Sequence, residues 1–400
     1  MKLTIVSETY QPEINGVAMT LGKIVDGLAA RGHSITVVRP RQRHESPKYS
    51  VTQRVSCRQV RLPGVGIPGY PQLRLGLPAG GTLRRLWTLN RPELVHVATE
   101  GPLGASAIGA ARRLGIPVTS SFHTNFHQYT GPYRIGWLRR PVEAWLRHLH
   151  NRTRLTFVPT RALRDELAIQ RYHNLRILSR GVDTSLFDPT LRDNEIRRGW
   201  GLGPDDLAVL HVGRIASEKN YPLVFRSFDA LKAVVPKARL VLVGDGPLTA
   251  RMQNERPDAV FTGFYTGANL ARHYASGDLY LHASTTETFG NVILEAMASG
   301  LPVVSFFYAA AREFIRDGEN GVAVASGRDE DFVARSVVLA GDPVLRQRLG
   351  ENARRTACTL GWEAVVERFE ADLIEAVARN TEVQNAAYLG LPNKVGLPNR

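Results

Sequence analysis

The stretch STTETFGNVILEAMASGLPVV, residues 284–304, decides the fold of the chain around it. It follows the apolar run DLYLHAS at 278–284, which predicts a buried strand, and its own middle predicts a helix from Gly290 to Gly300. A further apolar run, LPVVSF, comes directly after that glycine. A strand, a loop, a helix and a second strand in this order form the repeating unit of a parallel sheet covered by helices.

The loop and the helix of this stretch carry two acidic residues, Glu287 and Glu295. Ligands of open parallel sheets bind at the carboxyl ends of strands, and a helix N-terminus offers free amides to phosphate. We predict that Glu287 accepts hydrogen bonds from ligand hydroxyl groups. Glu295, about 7.5 Å from the start of the helix, meets another part of the same ligand. The residues whose amides would face the phosphate are Phe289, Gly290, Asn291 and Val292.

The same alternation of strands and helices runs along both halves of the chain. The predicted strands of the first half are 2–7, 34–38, 94–97, 116–122 and 155–159. Those of the second half are 207–213, 238–244, 258–263, 278–284 and 301–306. The predicted fold class is therefore α/β, with two doubly wound parallel sheets in tandem.

A connection between the two halves is predicted at residues 184–206, which lose apolar periodicity and collect Pro, Gly, Asp and Asn. We place one domain at 1–190 and a second at 191–361. A helix at 362–380 is expected to pack back across both domains. The tail at 381–400 is expected to be disordered.

The composition excludes several classes of protein. A chain of 400 residues with 43% hydrophobic and 22% charged residues is long enough for two cores. Its two cysteines, Cys57 and Cys358, have no metal-type spacing, so we expect neither a disulfide framework nor a zinc site. No stretch of about 18 apolar residues occurs, so we expect no signal peptide and no spanning helix. A cytoplasmic location fits this composition.

The net charge of +14 is unevenly distributed. Residues 1–190 contain 27 Lys and Arg against 11 Asp and Glu, whereas the remainder contains 24 against 26. The first half therefore has a net charge of +16, which indicates a polyanionic partner or an anionic membrane surface. A generally Arg-rich composition is the alternative explanation.

Residues 132–152 interleave aromatic and basic side chains. Such a stretch suits docking on anionic head groups. Pro141 interrupts it, and packing of its tryptophans into the domain core is the alternative. The residues assigned to the membrane or acceptor surface are Trp137, Arg139, Arg140 and Trp145.

Two cations, Arg214 and Lys219, lie in the loop after the first strand of the second half. Their guanidinium and ammonium groups suit a diphosphate, although a surface pair of Arg214 with Glu218 is the alternative.

Glycines follow two other strands, as Gly16 and as GDGP at 244–247. At either place the backbone can approach a ligand, or the glycines can simply form a turn.

Several motifs together resemble one family of enzymes. In the second half they are GRIASEKN, VGDGP, TETFGNVILEAMASGLPVV and DGENG, and in the first half SETYQPEINGVAMTLGKIVDGLAARGH and SFHTNFHQYT. They resemble the retaining GT-B glycosyltransferases typified by glycogen synthase relatives and phosphatidylinositol mannosyltransferases. The resemblance covers nearly the whole chain and implies two Rossmann-like domains facing a central cleft. The first half is also similar to enzymes that glycosylate diacylglycerol, including sulfoquinovosyl, mannosyl and glucuronosyl transferases.

The resemblance implies a role for each residue at the predicted donor site. Glu287 would hold hydroxyls of the transferred sugar and Glu295 the ribose, while Arg214 and Lys219 would neutralise the leaving diphosphate. Gly16 would contact phosphate from the first domain. Because the two cations take the place of Mg²⁺, no metal and no cofactor are expected. The departing phosphate oxygen would take the acceptor's proton on the same face, so that configuration is retained.

Three further residues take their roles from the same resemblance. His123 would lie beside the reacting sugar, and Phe264 and Tyr265 would contact the nucleotide base. A structural histidine and buried aromatic rings are the alternatives. The predicted catalytic residues are His123, Arg214, Lys219 and Glu287.

The predicted reaction is transfer of a hexosyl group from a UDP- or GDP-sugar to a membrane lipid such as diacylglycerol. The enzyme would act at the cytoplasmic face of an anionic membrane. A soluble or polysaccharide acceptor is the second hypothesis. A non-catalytic sugar-nucleotide or nucleic-acid binder is the third, but no nucleic-acid recognition motif occurs in the sequence.

Overall fold

The computed structural model describes residues 1–388 with a few gaps. The gaps are residues 14, 44, 46–49, 54–56, 68–69, 124–138 and 285. The chain divides into two compact units. The first unit comprises Met1–Ser179 together with the chain from Glu363 onward, and the second comprises Arg180–Trp362. The sequence-based boundary was placed further along the chain, at residue 190.

The first unit is built on a mostly parallel sheet whose strand order is β10-β9-β8-β7-β1-β2-β4-β3. Its strands are β1 Lys2–Val6, β2 Ser34–Pro40, β3 Ser50–Gln53, β4 Arg58–Leu62, β7 Leu94–Val97, β8 Val118–Ser121, β9 Thr156–Val158 and β10 Leu175–Ile177. Only β3 runs antiparallel to its neighbour. A separate antiparallel pair consists of β5 Gly64–Ile67 and β6 Tyr70–Gly76.

Helices cover both faces of this first sheet, and its central strands are buried. All four residues of β7 are buried, and so are the last four of β1. The helices are α1 Gly16–Ala30, α2 Gly80–Leu89, α3 Pro102–Arg113, α4 Arg139–His150 and α5 Arg161–Ile169. Trp87 of α2 is 1% exposed and packs in the same core as Val6 and Val97.

The second unit contains an entirely parallel sheet with the strand order β13-β12-β11-β14-β15-β16. Its strands are β11 Ala208–Val212, β12 Arg239–Val243, β13 Val260–Gly263, β14 Leu279–His282, β15 Val303–Phe306 and β16 Val322–Val324. Its helices are α6 Asn194–Gly199, α7 Tyr221–Val234, α8 Thr249–Glu255, α9 Gly267–Ala275, α10 Asn291–Ala298, α11 Ala309–Phe314, α12 Asp329–Gly341 and α13 Pro343–Cys358. The predicted α/β class with two doubly wound sheets is confirmed.

The last helix, α14, runs from Trp362 to Tyr388, belongs to the first unit from Glu363 onward, and is buried through Val366, Phe369, Leu373 and Ala376. Phe369 is fully buried, with its ring centroid 4.9 Å from that of Phe157 and 5.1 Å from that of His96. Residues 381–388, which the sequence analysis assigned to the disordered tail, are helical. Residues 389–400 lie outside the described residues.

Glu8 follows β1 at the switch point of the first sheet, the place where the order of the strands reverses. The chain leaves β1 toward β2 on one side and later returns to β7 on the other. The Glu8 carboxylate accepts hydrogen bonds from the amides of Gly76 at 2.5 Å and Leu103 at 3.0 Å, and so ties the end of β6 to the start of α3. Burial raises the pKa of this carboxyl to about 7, although these amides favour ionisation. The side chain of Glu8 therefore acts as a buried hydrogen-bond acceptor for the end of β6 and the start of α3.

The first prediction concerns Glu8→Gln. Because the pKa of Glu8 is higher in the folded chain than its usual 4.5, the unfolded chain releases this proton first, and stability falls as pH rises from 4.5 to about 7. Through this group the free energy of unfolding falls by on the order of 3 kcal/mol across that pH range. We expect Glu8→Gln to remove that pH dependence, measured as the free energy of unfolding in urea from pH 4.5 to 8. Glu319→Gln, at an exposed position, is the control, and equal slopes for wild type and Glu8→Gln would contradict the assignment.

Candidate functional site

The second sheet brings two polar loops together at its own switch point. β11 pairs with β14 through Val209 with Leu279 and Leu210 with Tyr280. The chain reaches β12 and β13 on one side of β11, and β14 to β16 on the other. The crevice at such a reversal is where open α/β sheets bind ligands. The loops after β11 and β14 contain the predicted Arg214, Lys219 and Glu287.

Lys219 and Glu287 form an ion pair across these two loops. The Lys219 ammonium donates to Oε1 of Glu287, and the two side chains are 13% and 16% exposed. Burial is the largest influence on Glu287 and disfavours its ionisation. The positive charge of Lys219, joined by hydrogen bonds from Lys219 and Ser284, more than offsets burial, and the pKa of the carboxyl is lowered to about 2. A cation and an ionised carboxylate therefore lie side by side at the switch point.

Arg214, the second predicted cation, pairs with a neighbouring glutamate. Its Nη2 lies 2.5 Å from Oε1 of Glu218, one turn further along, and its side chain is 42% exposed. The alternative considered for Arg214, a surface pair with Glu218, is thus present. Exposed pairs of this kind contribute only about 0–1 kcal/mol, so the guanidinium can exchange this partner for an anion at little cost.

The predicted helix N-terminus is present at Gly290, which has φ of 92° and precedes α10. A left-handed residue at this position favours glycine. The amides of Asn291 and Val292 have no partner within their own helix by geometry, and both residues are partly exposed. Phe289 is instead buried at 3% exposure, and the guanidinium carbon of Arg180 lies 6.0 Å from its ring centroid.

Glu295 lies on α10 in surroundings very different from those of Glu287. The hydroxyl of Tyr274 donates to its Oε2 at 3.0 Å. Burial raises the pKa of Glu295 to about 7, with the tyrosine opposing the shift. The two carboxyl groups of the same stretch thus have pKa values pushed in opposite directions, a pattern that marks functional sites.

The two aromatic residues predicted to contact a base differ in exposure. Phe264 is 58% exposed, whereas Tyr265 is partly buried and stacks on His273 with ring centroids 4.2 Å apart. The ring of Phe264 is therefore exposed to solvent at the carboxyl end of β13, whereas the ring of Tyr265 packs on His273 of α9.

The glycines of GDGP are explained by contact with protein backbone. A Cβ at Gly244, where φ is 147°, would lie 1.9 Å from the carbonyl oxygen of Gly213. A Cβ at Gly246 would lie 2.4 Å from the carbonyl oxygen of Ile215. Of the two readings considered for this motif, the structure supports a close turn between neighbouring loops.

In the first unit, the helix after β1 begins at Gly16 but its amides are already partly occupied. The side chain of Asn15 accepts hydrogen bonds from the amides of Val17 at 3.1 Å and Ala18 at 2.9 Å. A phosphate at this position would have to displace that cap. His123 is partly exposed just after β8, and its role beside a ligand stays a prediction.

The basic aromatic stretch is described from residue 139 onward, so Trp137 lies outside the described residues. The helix α4 begins at Arg139, which places Pro141 in its first turn, where proline is tolerated. Trp145 is 42% exposed and Arg140 is exposed, while Leu146 is buried. For Trp145, the alternative of core packing is thereby ruled out.

Sequence reasoning missed His282, the last residue of β14. It is 1% exposed, and its Nε2 lies 3.6 Å from Oε1 of Glu287. A histidine at the end of an otherwise apolar strand, five residues ahead of a key glutamate, was the available signal.

Among the described residues, no group of three or more His, Cys, Asp and Glu is placed to hold a metal ion, and no helix is long and apolar enough to span a membrane.

Two family models match the chain, one in each half. Residues 14–186 match the model described as Glycosyltransferase Family 4, and residues 192–356 match the model described as Glycosyl transferases group 1.

Individual relatives match over nearly the whole chain. A GDP-mannose-dependent alpha-mannosyltransferase of Mycobacterium tuberculosis is 33% identical, over 92% of this chain and 94% of its own length. An alpha-monoglucosyldiacylglycerol synthase of Acholeplasma laidlawii is 25% identical, over 96% of this chain and 100% of its own. Among solved structures, Anabaena HepE in complex with UDP has a TM-score of 0.73 at 19% identity, covering 94% of this chain and 100% of its own.

Proposed function

The chain belongs to the glycosyltransferases of group 1 and family 4, a GT-B hexosyltransferase, and from this premise we propose that it transfers mannose from GDP-mannose to a membrane lipid such as diacylglycerol. The GT-B fold and the hexosyltransferase activity predicted from the sequence are confirmed by these relatives. The donor proposal is supported by the GDP-mannose dependence of the mannosyltransferase relatives, and the lipid acceptor by the diacylglycerol synthase.

The ion pair of Lys219 with Glu287 carries the proposal. A nucleoside-diphosphate sugar presents a dianionic diphosphate next to a ring of hydroxyl groups. Lys219 and Arg214 take the diphosphate, whose charge grows as the glycosidic bond breaks. Glu287, ionised because its pKa is about 2, accepts hydrogen bonds from the sugar hydroxyls. The free amides of Asn291 and Val292 add dipoles to the same phosphate.

The stereochemical part of the proposal is retention of configuration without a metal ion. The bond from the anomeric carbon to the diphosphate oxygen breaks, the acceptor oxygen bonds to that carbon on the same face, and the acceptor's proton passes to the departing phosphate. GDP-mannose carries an α-linked sugar, so an α-linked product means retention, in keeping with the α-linkage in the names of both relatives. Lys219 and Arg214 supply the charge neutralisation that Mg²⁺ provides in other transferases.

The membrane part of the proposal is supported by α4. Trp145 and Arg140 are both exposed on a helix whose Leu146 and Leu149 are buried, so an aromatic and a basic group of α4 face solvent. The net charge of +16 on residues 1–190 extends this attraction to anionic lipid. Transfer to a soluble saccharide is the competing acceptor hypothesis, since a basic surface also suits an acidic sugar acceptor.

The second prediction tests the reaction. Purified protein with EDTA and liposomes that contain diacylglycerol is expected to release GDP from GDP-mannose, and UDP-glucose serves as the comparison donor. Glu287→Gln is expected to lower kcat/KM by about a hundredfold, the loss of hydrogen bonds to a charged acceptor. Glu319→Gln, an exposed acid of the same unit, should behave as wild type. Lipid-independent turnover on a saccharide would move the acceptor to the soluble class, inhibition by EDTA would contradict metal independence, and no release from any donor would end the proposal.

The third prediction uses the raised pKa of Glu295. If its carboxylate accepts hydrogen bonds from the ribose, protonation below pH 7 removes an acceptor, so donor binding weakens as pH falls. We expect the Kd of GDP-mannose by calorimetry to rise about tenfold between pH 8 and pH 6, the fraction ionised for a pKa near 7. Glu295→Gln should bind weakly at both pH values. A wild-type Kd that stays constant across this range would contradict the ribose assignment.

The fourth prediction concerns the membrane. Replacing Arg139 and Arg140 with Glu is expected to weaken sedimentation with anionic liposomes by at least about tenfold, since each basic group near the surface contributes about 1 kcal/mol. A variant with Arg198→Glu and Arg316→Glu carries the same charge change on the second unit and should sediment as wild type does. Equal binding by all three proteins would remove the support for a membrane surface on α4.

A further inference from the structure

His282 is a buried histidine whose ring makes no hydrogen bond to the described part of the chain. Its side chain is about 1% exposed, and neither ring nitrogen has a hydrogen-bond partner among the residues that the structure describes. Its ring stacks on Tyr280, two residues earlier on β14, with centroids 6.0 Å apart and an interplanar angle of 17°. Leucine or phenylalanine would fill the same space without burying two polar atoms.

Burying a polar group without a partner costs free energy, and most native structures avoid it. The nearest charged group accounts for the exception. Nε2 of His282 lies 3.6 Å from Oε1 of Glu287, slightly beyond hydrogen-bond distance, and this is the same oxygen to which Lys219 donates. His282 therefore lies beside the carboxylate on which the ion pair depends.

Donor binding changes the hydrogen-bond partners of the Glu287 carboxylate. In the proposed reaction Lys219 turns to the diphosphate, so Oε1 of Glu287 loses its closest donor at the moment when the carboxylate must meet the sugar. Burial lowers the pKa of His282 to about 3, so its imidazole is neutral at working pH. A neutral ring donates one N–H without placing another positive charge next to the sugar.

We propose that His282 is a positioning residue: when the diphosphate draws Lys219 away, Nε2–H of His282 donates to Oε1 of Glu287 and holds the carboxylate in the orientation that accepts the sugar hydroxyls. This inference rests on the proposed function of Glu287. It adds a residue that touches neither sugar nor phosphate and acts through its neighbour.

The fifth prediction separates this role from a purely structural one. His282→Leu keeps the volume and removes the donor, whereas His282→Gln places an amide N–H near the position of Nε2. We expect His282→Leu to lower kcat/KM for GDP-mannose by about tenfold to a hundredfold, the range for a hydrogen bond to a charged group. Its Kd for GDP alone, which lacks the sugar, should stay within about twofold of wild type. His282→Gln should recover most of the lost kcat/KM.

Two results would overturn the inference. One is a His282→Leu enzyme with wild-type kcat/KM, and the other is an equal loss in GDP affinity, which would mean that the replacement disturbs the whole loop. Glu287→Gln, measured in parallel, keeps the two proposals apart. If Glu287→Gln is inactive while His282→Leu is unaffected, only the role of His282 fails. If Glu287→Gln is fully active, the role of Glu287 itself fails. Combining His282→Leu with Glu287→Gln should add no further loss, because the first acts through the second.

Discussion

The ion pair between Lys219 and Glu287 is the contact on which the chemistry of the second unit depends. It exists because β11 and β14 are neighbours in the sheet although the chain visits β12 and β13 between them. The loops of both residues follow fully buried parallel strands, β11 and β14, so the two charges meet by topology and not by local sequence. The cation and the neighbouring hydrogen-bond donors together keep the pKa of the carboxylate at about 2 despite burial. The two charges that we propose for recognition of an anion and a polyol thereby lie side by side before a donor binds.

The two glutamates of one stretch show how position in a helix changes the behaviour of a single residue type. Glu287 precedes α10, where a lysine and the helix amides surround it with positive potential. Glu295 lies within α10, with Tyr274 as its hydrogen-bond donor and burial raising its pKa. Since hydroxyl groups of the ligand are donors, the first glutamate accepts at any working pH. The second is a strong acceptor only when deprotonated.

The sequence predicts the framework well because apolar runs and periodicity are local properties. The strands at 94–97 and 278–284 and the cationic loop with Arg214 and Lys219 are recovered at or near the predicted positions. What it did not predict is which side chains meet in the folded loops, because periodicity specifies elements and not side-chain contacts. Asn15 caps the helix that Gly16 begins, and His282 lies against Glu287, although both pairs are close in sequence. For Arg214, the pair with Glu218 is one of the two alternatives that the sequence offered. Strands β3 to β6 escaped detection because their short runs mix polar, basic and glycine residues.

The backbone at this edge is held more firmly than the charged side chains. Gly213 and Gly244 approach so closely that no side chain fits at Gly244, and the amide of Ile215 donates to the carbonyl oxygen of Asp245 at 3.0 Å. Loops joined in this way resist widening for a ligand. Lysine, arginine and glutamate side chains, by contrast, have several rotatable bonds each. Donor binding is therefore best understood as an exchange of side-chain partners on a preformed edge. In such an exchange, the neutral histidine buried beside the carboxylate is placed to donate to it as the lysine turns away.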